Sequence, residues 1–472
     1  MYNILQKQFK QKTVNEDYGG NAAMSNAKKW TEHKYWNEEI ETMPREQLEQ
    51  FQLTKLKEIV RHAYDNAPYY KRTWDEAGLS PDDIQSLEDL QKFPFINKIT
   101  QRETQGVGSF LGELAAVPED DVVSISTSSG STGVPTMSPF TKEDFDAFQD
   151  TESRWFWQIG MRPNDRYVHA LNFSLYVGGP DVIGAQNLGA LCIWGGTLPS
   201  ERLLYVLKTY QPTVIWTSPS YAWQLGEKAK KAGIDPKTDL SIRKIIVAGE
   251  LGGSIPATRK AIEDLWGAEL YDFYGLSDIF GACAAHCEYH DGLHIAEDHI
   301  LVETVDIHTG EILPPGSVGE LVYTTLQKKA RPLIRFRTGD IGYIDQTPCK
   351  CGRTHGRIHI NGRKDDMFIV SAVNVFPSDI EAVIRDLTGI TGEYLIRIFE
   401  KDLTCKYAVE IEKNADNPKP DDEVAAELSA ALKARIGVKP ARVKIHPDGG
   451  LDTRSEHKSK RIIDERNPDY SI

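Results

Sequence analysis

An α/β fold is what this sequence predicts, and three observations predict it. From about residue 120 to about 300, short β-rich runs alternate with helical ones, as in a buried, largely parallel sheet with helices on its faces. After residue 300, GELVYTTL and GDIGYID look like antiparallel strand pieces. The last hundred or so residues start afresh, with strands and helices in turn, and read as a compact α+β unit.

Residues 1–33 are polar, with a Gly-Gly pair and several Asn, and read as a loosely held extension. KYWNEEIETMPREQLEQFQLTKLKEIVRHAYDNAPYYKRTWDEAG is helical, because Leu53, Leu56, Ile59 and Val60 recur at three- and four-residue spacing and give one apolar face. Pro68 in NAPYY breaks that helix, since its ring keeps the preceding residue out of the helical region. DVVSIS is the first strand of the alternating part, and the long helical stretch TKEDFDAFQDTESRWFWQIG follows soon after. DRYVHAL, TVIWTS and KIIVAG are further strands; SYAWQLGEKAKKAG, between the last two, is a helix ended by Gly233. The C-terminal unit runs MFIVSAVNVF, helix SDIEAVIRDL, strand KYAVEIE, helix DDEVAAELSAALKARIG and strand ARVKIHP. NGRKDD, residues 361–366, is a charged, turn-like link, and it divides residues 34–364 from 365–472.

Composition limits the function. The chain has 472 residues, 40% hydrophobic and 26% charged, which suits two or three packed domains and not a disordered chain. A formal net charge of -14 argues against non-specific binding to DNA or an anionic membrane. No apolar run approaches the ~20 residues of a membrane span. The start lacks the apolar core and cleavage site of a signal peptide, so a cytoplasmic location is expected. Six cysteines in this length do not make a disulfide scaffold.

TSSGSTGVPT, residues 127–136, places Thr127, Ser128, Ser129, Gly130, Ser131, Thr132 and Gly133 directly after DVVSIS. Such a loop presents hydroxyls and close backbone N–H groups to phosphate oxygens; Gly130 and Gly133 permit the positive φ that an anion nest needs. Composition alone fits a flexible polar linker equally well, and the Walker A pattern is absent. Further along come YGLSD (274–278), RTGD (337–340), GRKDD (362–366) and RSEHKSKR (454–461), with KYWNEEIETMPREQL, GLHIAEDH, PCKCGRTHGRI and VNVFPSDIE. This ordered set resembles the AMP-forming adenylate-forming ligases of the acyl-CoA synthetase superfamily, and more closely the phenylacetate–CoA ligase group, over residues 34 to about 465. The resemblance implies a large N-terminal α/β domain with parallel sheets plus a β-barrel-like portion, joined at Asp365 to a small mobile α+β domain. It also implies two half-reactions: an acid and ATP give an acyl-adenylate and pyrophosphate, and CoA then displaces AMP.

The same resemblance implies roles for residues. Residues 127–133 would lie over the ATP β- and γ-phosphates. Asp278, where the family usually has Glu, would bind Mg²⁺, a hard ion suited to carboxylate oxygen. Tyr274, Gly275 and Ser277 would border the α-phosphate and adenine, with Gly249, Glu250 and Asp272 on the adenine side. Asp340 would accept hydrogen bonds from the ribose hydroxyls, Arg363 would donate to ribose or phosphate, and Asp365 would be the hinge. Lys458 would be the adenylation lysine, with Lys460 as the fallback because His457 replaces the family's usual Gly. Val134 stands where the family often has Lys, which leaves phosphate charge to Mg²⁺, backbone N–H groups and hydroxyls. Attacker and target are both anionic, so this chemistry needs positive charge, donors and in-line positioning rather than a side-chain nucleophile. Phe173, Tyr176, Gly178 and Ala248 would line the acid pocket with Asn172 as a polar neighbour, and an apolar pocket of aromatics fits an aryl acid.

Cys287-x6-His294 and Cys349-x-Cys351 offer three thiolates and one imidazole, the donor set of a closed structural zinc site. Cys283, His286, His290 and His355 are alternative ligands, and reduced thiols near a core are the alternative reading. Zinc there would pin the 283–294 loop to the 349–353 loop. The expected function is an aryl-carboxylate–CoA ligase using ATP, CoA and Mg²⁺ on an aromatic acid, with a homodimer suggested by the resemblance. An adenylyltransferase that stops at an AMP adduct, and a catalytically silent ATP-binding protein, are the rival readings.

Overall fold

A computed structural model of the protein describes residues 33–128, 135–171, 178–196, 198–370, 373–401, 404–451 and 461–466. It opens with helices α1 (Glu38–Glu41), α2 (Arg45–Asn66) and α3 (Pro68–Glu76). α2 buries Leu48, Gln52, Leu56, Ile59, Val60 and Ala63, the stripe that the three- and four-residue spacing sets up; Leu53 is partly buried at its edge. Pro68 ends α2 and also begins α3, because a Pro at the first helical position gives up no intrahelical hydrogen bond.

α4 (Lys98–Thr104) is short and firmly capped: the Asn97 side-chain oxygen accepts from the N–H groups of Ile99 at 2.8 Å and Thr100 at 3.0 Å. Two antiparallel strands follow, β1 (Val122–Thr127) and β2 (Met137–Thr141), so the Ser/Thr/Gly segment joins two strands of a hairpin and not a strand to a helix. MSPFT carries little β signal of its own and becomes a strand through its pairing with β1. α5 (Lys142–Gln158) then starts at a capping box between Thr141 and Asp144.

An eleven-stranded sheet frames the molecule. One half is parallel: β3 (Arg166–His169), β4 (Leu191–Trp194), β5 (Val214–Thr217), β6 (Lys244–Ala248) and β7 (Glu269–Leu276). Helices α6 (Val182–Leu188), α7 (Ser200–Tyr210), α8 (Pro219–Lys231) and α9 (Pro256–Trp266) fill the crossovers. The other half is antiparallel: β8 (Phe280–His286), β9 (Leu293–Ile295), β10 (Ile300–Val305), β11 (Gly319–Thr325), β12 (Phe336–Asp345) and β13 (Arg357–Arg363). The spatial order is β10-β11-β12-β13-β9-β8-β7-β6-β5-β3-β4, so the strands expected to be barrel-like continue the parallel half across the β7–β8 pair. Tyr167, Val168, Val214, Ile215, Trp216, Ile245, Ile246 and Val247 are all buried, which is why these strands read as unbroken apolar runs.

Beyond β13, MFIVSAVNVF forms a small hairpin, β14 (Phe368–Val370) against β15 (Val373–Val375). α10 (Pro377–Asp386), β16 (Ile390–Lys401), β17 (Thr404–Lys413), α11 (Asp421–Ile436), β18 (Arg442–Pro447) and β19 (Ile462–Asp464) follow, with the sheet order β18-β17-β16-β19. This part has its own core, including Phe368, Ile380, Tyr394, Ile396, Tyr407 and Leu428. It leans on the large part through α9 and α8: the Thr258 hydroxyl donates to Glu381 Oε1 at 3.1 Å, and the Arg385 guanidinium lies 5.6 Å from the Trp223 ring centroid. Among the described residues, no helix is long and apolar enough to cross a membrane.

Candidate active site and metal centre

The end of β7 brings the first group together. The Tyr274 hydroxyl donates to Asp340 Oδ2 on β12 at 2.5 Å. Asp340 is paired in register with Arg363 on β13, whose Nη1 donates to the other carboxylate oxygen at 3.0 Å. Arg363 Nη2 reaches Asp365 Oδ2 at 3.2 Å. Burial pushes the Asp340 carboxyl up, while Arg363 and the Tyr274 hydroxyl draw it partly back. Glu250 follows Gly249, whose φ of 83° is comfortable only for glycine, and accepts from the hydroxyl and the N–H of Ser220 at 2.8 and 3.1 Å. Asp272 accepts from the Ser254 hydroxyl, and burial pushes its carboxyl up to about 7.

Just beyond β7, Asp278 is 2% exposed and meets cations from two distant segments. Lys98 Nζ donates to its Oδ2, and Arg331 Nη2 stands 3.7 Å from Oδ1. Burial alone pushes this carboxyl up, but Lys98 and then Arg331 help hold it below the usual carboxylate range. The Lys328 ammonium donates to the backbone carbonyls of Asp278 at 3.0 Å and Ile279 at 2.6 Å, and burial drives its own pKa well down. Thr136 ties this cluster to the Ser/Thr/Gly loop. Its hydroxyl donates to Asp278 Oδ1 at 3.0 Å, accepts from Lys98 Nζ at 3.0 Å, and lies 3.0 Å from Ser128 Oγ, while the Ser128 N–H donates to the Thr136 carbonyl at 3.0 Å. The neck of the loop and the YGLSD turn are therefore one hydrogen-bonded unit. Gly275 lies opposite Ala282, where a Cβ would strike the Gly281 carbonyl.

The cysteine and histidine cluster resolves to one set. The ligand atoms of Cys287, His294, Cys349 and Cys351 all lie within 4.8 Å of one another, with Cys287 Sγ 3.8 Å from Cys349 Sγ and Cys351 Sγ 3.2 Å from His294 Nε2. His294 Nδ1 lies 3.0 Å from the His355 carbonyl, which turns Nε2 to the sulfurs and leaves it free to ligate. His286 and His355 are excluded by their own hydrogen bonds, to the Asp272 N–H and to the carbonyls of Ile295 and Ile40. Cys283 belongs to the core of the large sheet.

Thr127, Ser128, Gly178 and Ala248 lie within the described chain, as does Ser277 in the turn after β7. Ser129, Gly130, Ser131, Thr132, Gly133 and Val134, then Asn172, Phe173 and Tyr176, and His457, Lys458 and Lys460 lie outside the described residues.

Residues 43–327 match the family described as "AMP-binding enzyme", and residues 372–466 match the "AMP-binding enzyme C-terminal domain". The phenylacetate-coenzyme A ligase of Thermus thermophilus is 34% identical over 448 residues, covering 91% of this chain and 99% of that protein. The chain belongs to the AMP-binding enzyme family. The phenylacetate-coenzyme A ligase of Pseudomonas putida is 36% identical over 437 residues, covering 90% of this chain and 96% of its own. A solved 2-hydroxyisobutyryl-CoA ligase in its postadenylation state with 2-HIB-AMP superposes with a TM-score of 0.86 at 29% identity, over 92% of this chain and 93% of that one. The same ligase in its thioesterification state, over the same shares of both chains, gives only 0.69. The two parts of this AMP-binding enzyme thus sit more nearly as in the first of these two structures than as in the second.

Lys98, Lys328 and Arg331 gather at Asp278 in this candidate site, and the family motifs did not point to them. The signal in the sequence is slight: Lys98 follows the apolar run FPFIN, and Lys328, Lys329, Arg331 and Arg335 crowd the stretch before RTGD.

Proposed function

We propose that this AMP-forming acid–thiol ligase activates an aryl carboxylic acid with ATP and transfers the acyl group to CoA. The observation that carries the reading is the Ser128–Thr136–Asp278–Lys98 junction, which joins the phosphate loop to the YGLSD turn. In the first half-reaction an acid carboxylate oxygen attacks the α-phosphorus and pyrophosphate leaves. In the second the CoA thiol attacks the acyl carbon and AMP leaves.

Residues 127–133 would donate to the β- and γ-phosphates, and Asp340 would accept from the ribose hydroxyls beside Tyr274 and Arg363. Asp278 would hold Mg²⁺, which neutralises phosphate charge; an ionised, hard carboxylate fits that ion. Lys98 brings an ammonium to the neck of a loop that has Val134 in place of the family's Lys, so the chain supplies phosphate charge from another segment. Lys458 would meet the acid carboxylate and α-phosphate, and Asp365 would be the pivot between half-reactions. Cys287, His294, Cys349 and Cys351 would hold a structural Zn²⁺, four donors with no open position. The aryl acid follows from the phenylacetate named for relatives 34–36% identical over most of the chain.

The test is CoA thioester formation from a panel of aryl acids with ATP and Mg²⁺, following AMP and pyrophosphate together. Thioester from an aryl acid supports the reading. Pyrophosphate without thioester replaces it with an adenylyltransferase, and no turnover in folded, zinc-loaded protein rejects both.

A further inference from the structure

Between the parallel strands and helices α5 and α6 lies a buried polar group that the roles above leave unused. Glu152 on α5 accepts from the Ala282 N–H at 2.6 Å through Oε1, while its buried Oε2 has no partner among the described residues. Asp181, immediately before α6, is 2% exposed, and its Oδ1 has no partner among them either. α6 packs against α5 through Gly184, where a Cβ would run into Glu152, and Asp181 stands at the start of that same helix. Burial pushes both well above the usual carboxylate range, and Asp181 adds to the rise at Glu152.

Beside them, the Tyr167 hydroxyl lies 2.6 Å from His169 Nδ1. The Trp216 ring is 5.9 Å from that imidazole, and its indole N–H, in a residue 1% exposed, has no partner among the described residues. His169 ends β3 and Trp216 is next to last in β5. Carboxyl ends of parallel strands are where open α/β sheets take ligands. Two contacts tie the group to the nucleotide end: Trp216 packs on Phe273 at 5.1 Å, next to Tyr274, and Ala282 pairs with Gly275.

Leaving a buried polar atom dry and unpaired is costly, so several near one another call for a partner. The orphaned carboxyl oxygens accept and the indole N–H only donates. A hydroxyl does both, and it is the smallest organic group that suits both kinds of partner. We infer that the acid this enzyme activates carries a hydroxyl group, read by Glu152, Asp181 and Trp216. The inference rests on the ligase reading and narrows its substrate, since a plain aryl or alkyl acid leaves all three unpaired.

The test compares kcat/KM for acids that differ by one hydroxyl: phenylacetate with its ring- and α-hydroxylated forms, benzoate with the hydroxybenzoates, and 2-methylpropanoate with its 2-hydroxy form. At least one hydroxylated acid should exceed its parent by tenfold or more, as sites built around a substrate hydroxyl do (~10-fold is the low end). Asp181→Asn and Glu152→Gln, which keep shape but change the hydrogen-bonding pattern, should reduce that ratio by about tenfold. Parents turned over as well as every hydroxylated partner overturn the inference, and so does a preference that survives both substitutions, which would assign the orphan atoms to buried water. Amino-substituted acids outperforming hydroxylated ones also overturn it. Should either variant fail to fold, the wild-type ratios alone decide. No turnover with any acid rejects the ligase reading and this inference with it.

Discussion

Replacing Lys98 with Met removes the first cation that holds Asp278 below the usual carboxylate range. ATP–pyrophosphate exchange should fall roughly 10²-fold, the usual effect of losing one preorganised charge at a phosphoryl site. The acid limb of its pH profile should also move to higher pH, because the Asp278 carboxyl then protonates earlier; an unmoved limb would mean that Lys98 does not set this charge. Asp272 tests the opposite sign. Its folded pKa is raised to about 7, so the folded chain keeps a proton that the unfolded chain loses above about 4. This group therefore subtracts stability as pH rises from about 4 to about 7. Asp272→Asn should gain on the wild type across that window by up to a few kcal/mol, at ~1.4 kcal/mol per unit, in urea unfolding at several pH values. Asp278, Asp340 and Arg363 stand out as candidates in the sequence because short ordered motifs mark them. Lys98 was not: its partner lies 180 residues away, and a lone Lys at the start of a capped helix ordinarily faces solvent.

At the scale of elements, the metal loop reaches further than the two segments it was expected to join. The Tyr35 hydroxyl donates to the Cys351 carbonyl at 3.2 Å, the Thr354 N–H to the Glu41 carbonyl at 3.1 Å, and buried Arg353 Nε to Glu41 Oε2 at 2.7 Å. Stripping zinc with a chelator, or the Cys351→Ser substitution, should therefore lower Tm and speed amide exchange over residues 35–41 as well as around 287–294 and 349–355. Structural zinc contributes on the order of 10 kcal/mol in small isolated sites, and only part of that is expected in a chain with large cores of its own. Native mass spectrometry showing one zinc per chain checks occupancy; metal-free protein with unchanged Tm would end the assignment. Among the strands, β5 and β6 were legible, because burial on both faces leaves an unbroken apolar run, whereas β4 and β8, with LCIW and FGACAAH, were not read as strands. β2 and β16 were not, since MSPFT depends on its partner and ITGEYLIRIFEK intersperses charges that pair across the sheet, as Arg397 does with Glu410.

For the whole molecule, the arrangement of the two parts is a measurable equilibrium. Thr258 and Glu381 join them in the state seen here, and a hydrogen bond to a charged group contributes about 1.5–3 kcal/mol. Thr258→Val should lower pyrophosphate exchange roughly tenfold relative to thioester formation from preformed acyl-adenylate, because it shifts the population away from this arrangement. Equal effects on both half-reactions would show that the contact does not govern the rotation. The sequence by itself determined the fold class, the order of the motifs and the pool of Cys and His from which the candidate metal ligands come, because periodicity and residue chemistry are written locally along the chain. Only the tertiary structure decided which side chains share a site. Tyr274 reaches Asp340 across 66 residues, and Lys98, Arg331 and Asp278 converge, because strand order and helix packing set those distances. The burial of Glu152 against α6 has the same origin, since nothing in either neighbourhood foretells that α5 will pack on α6.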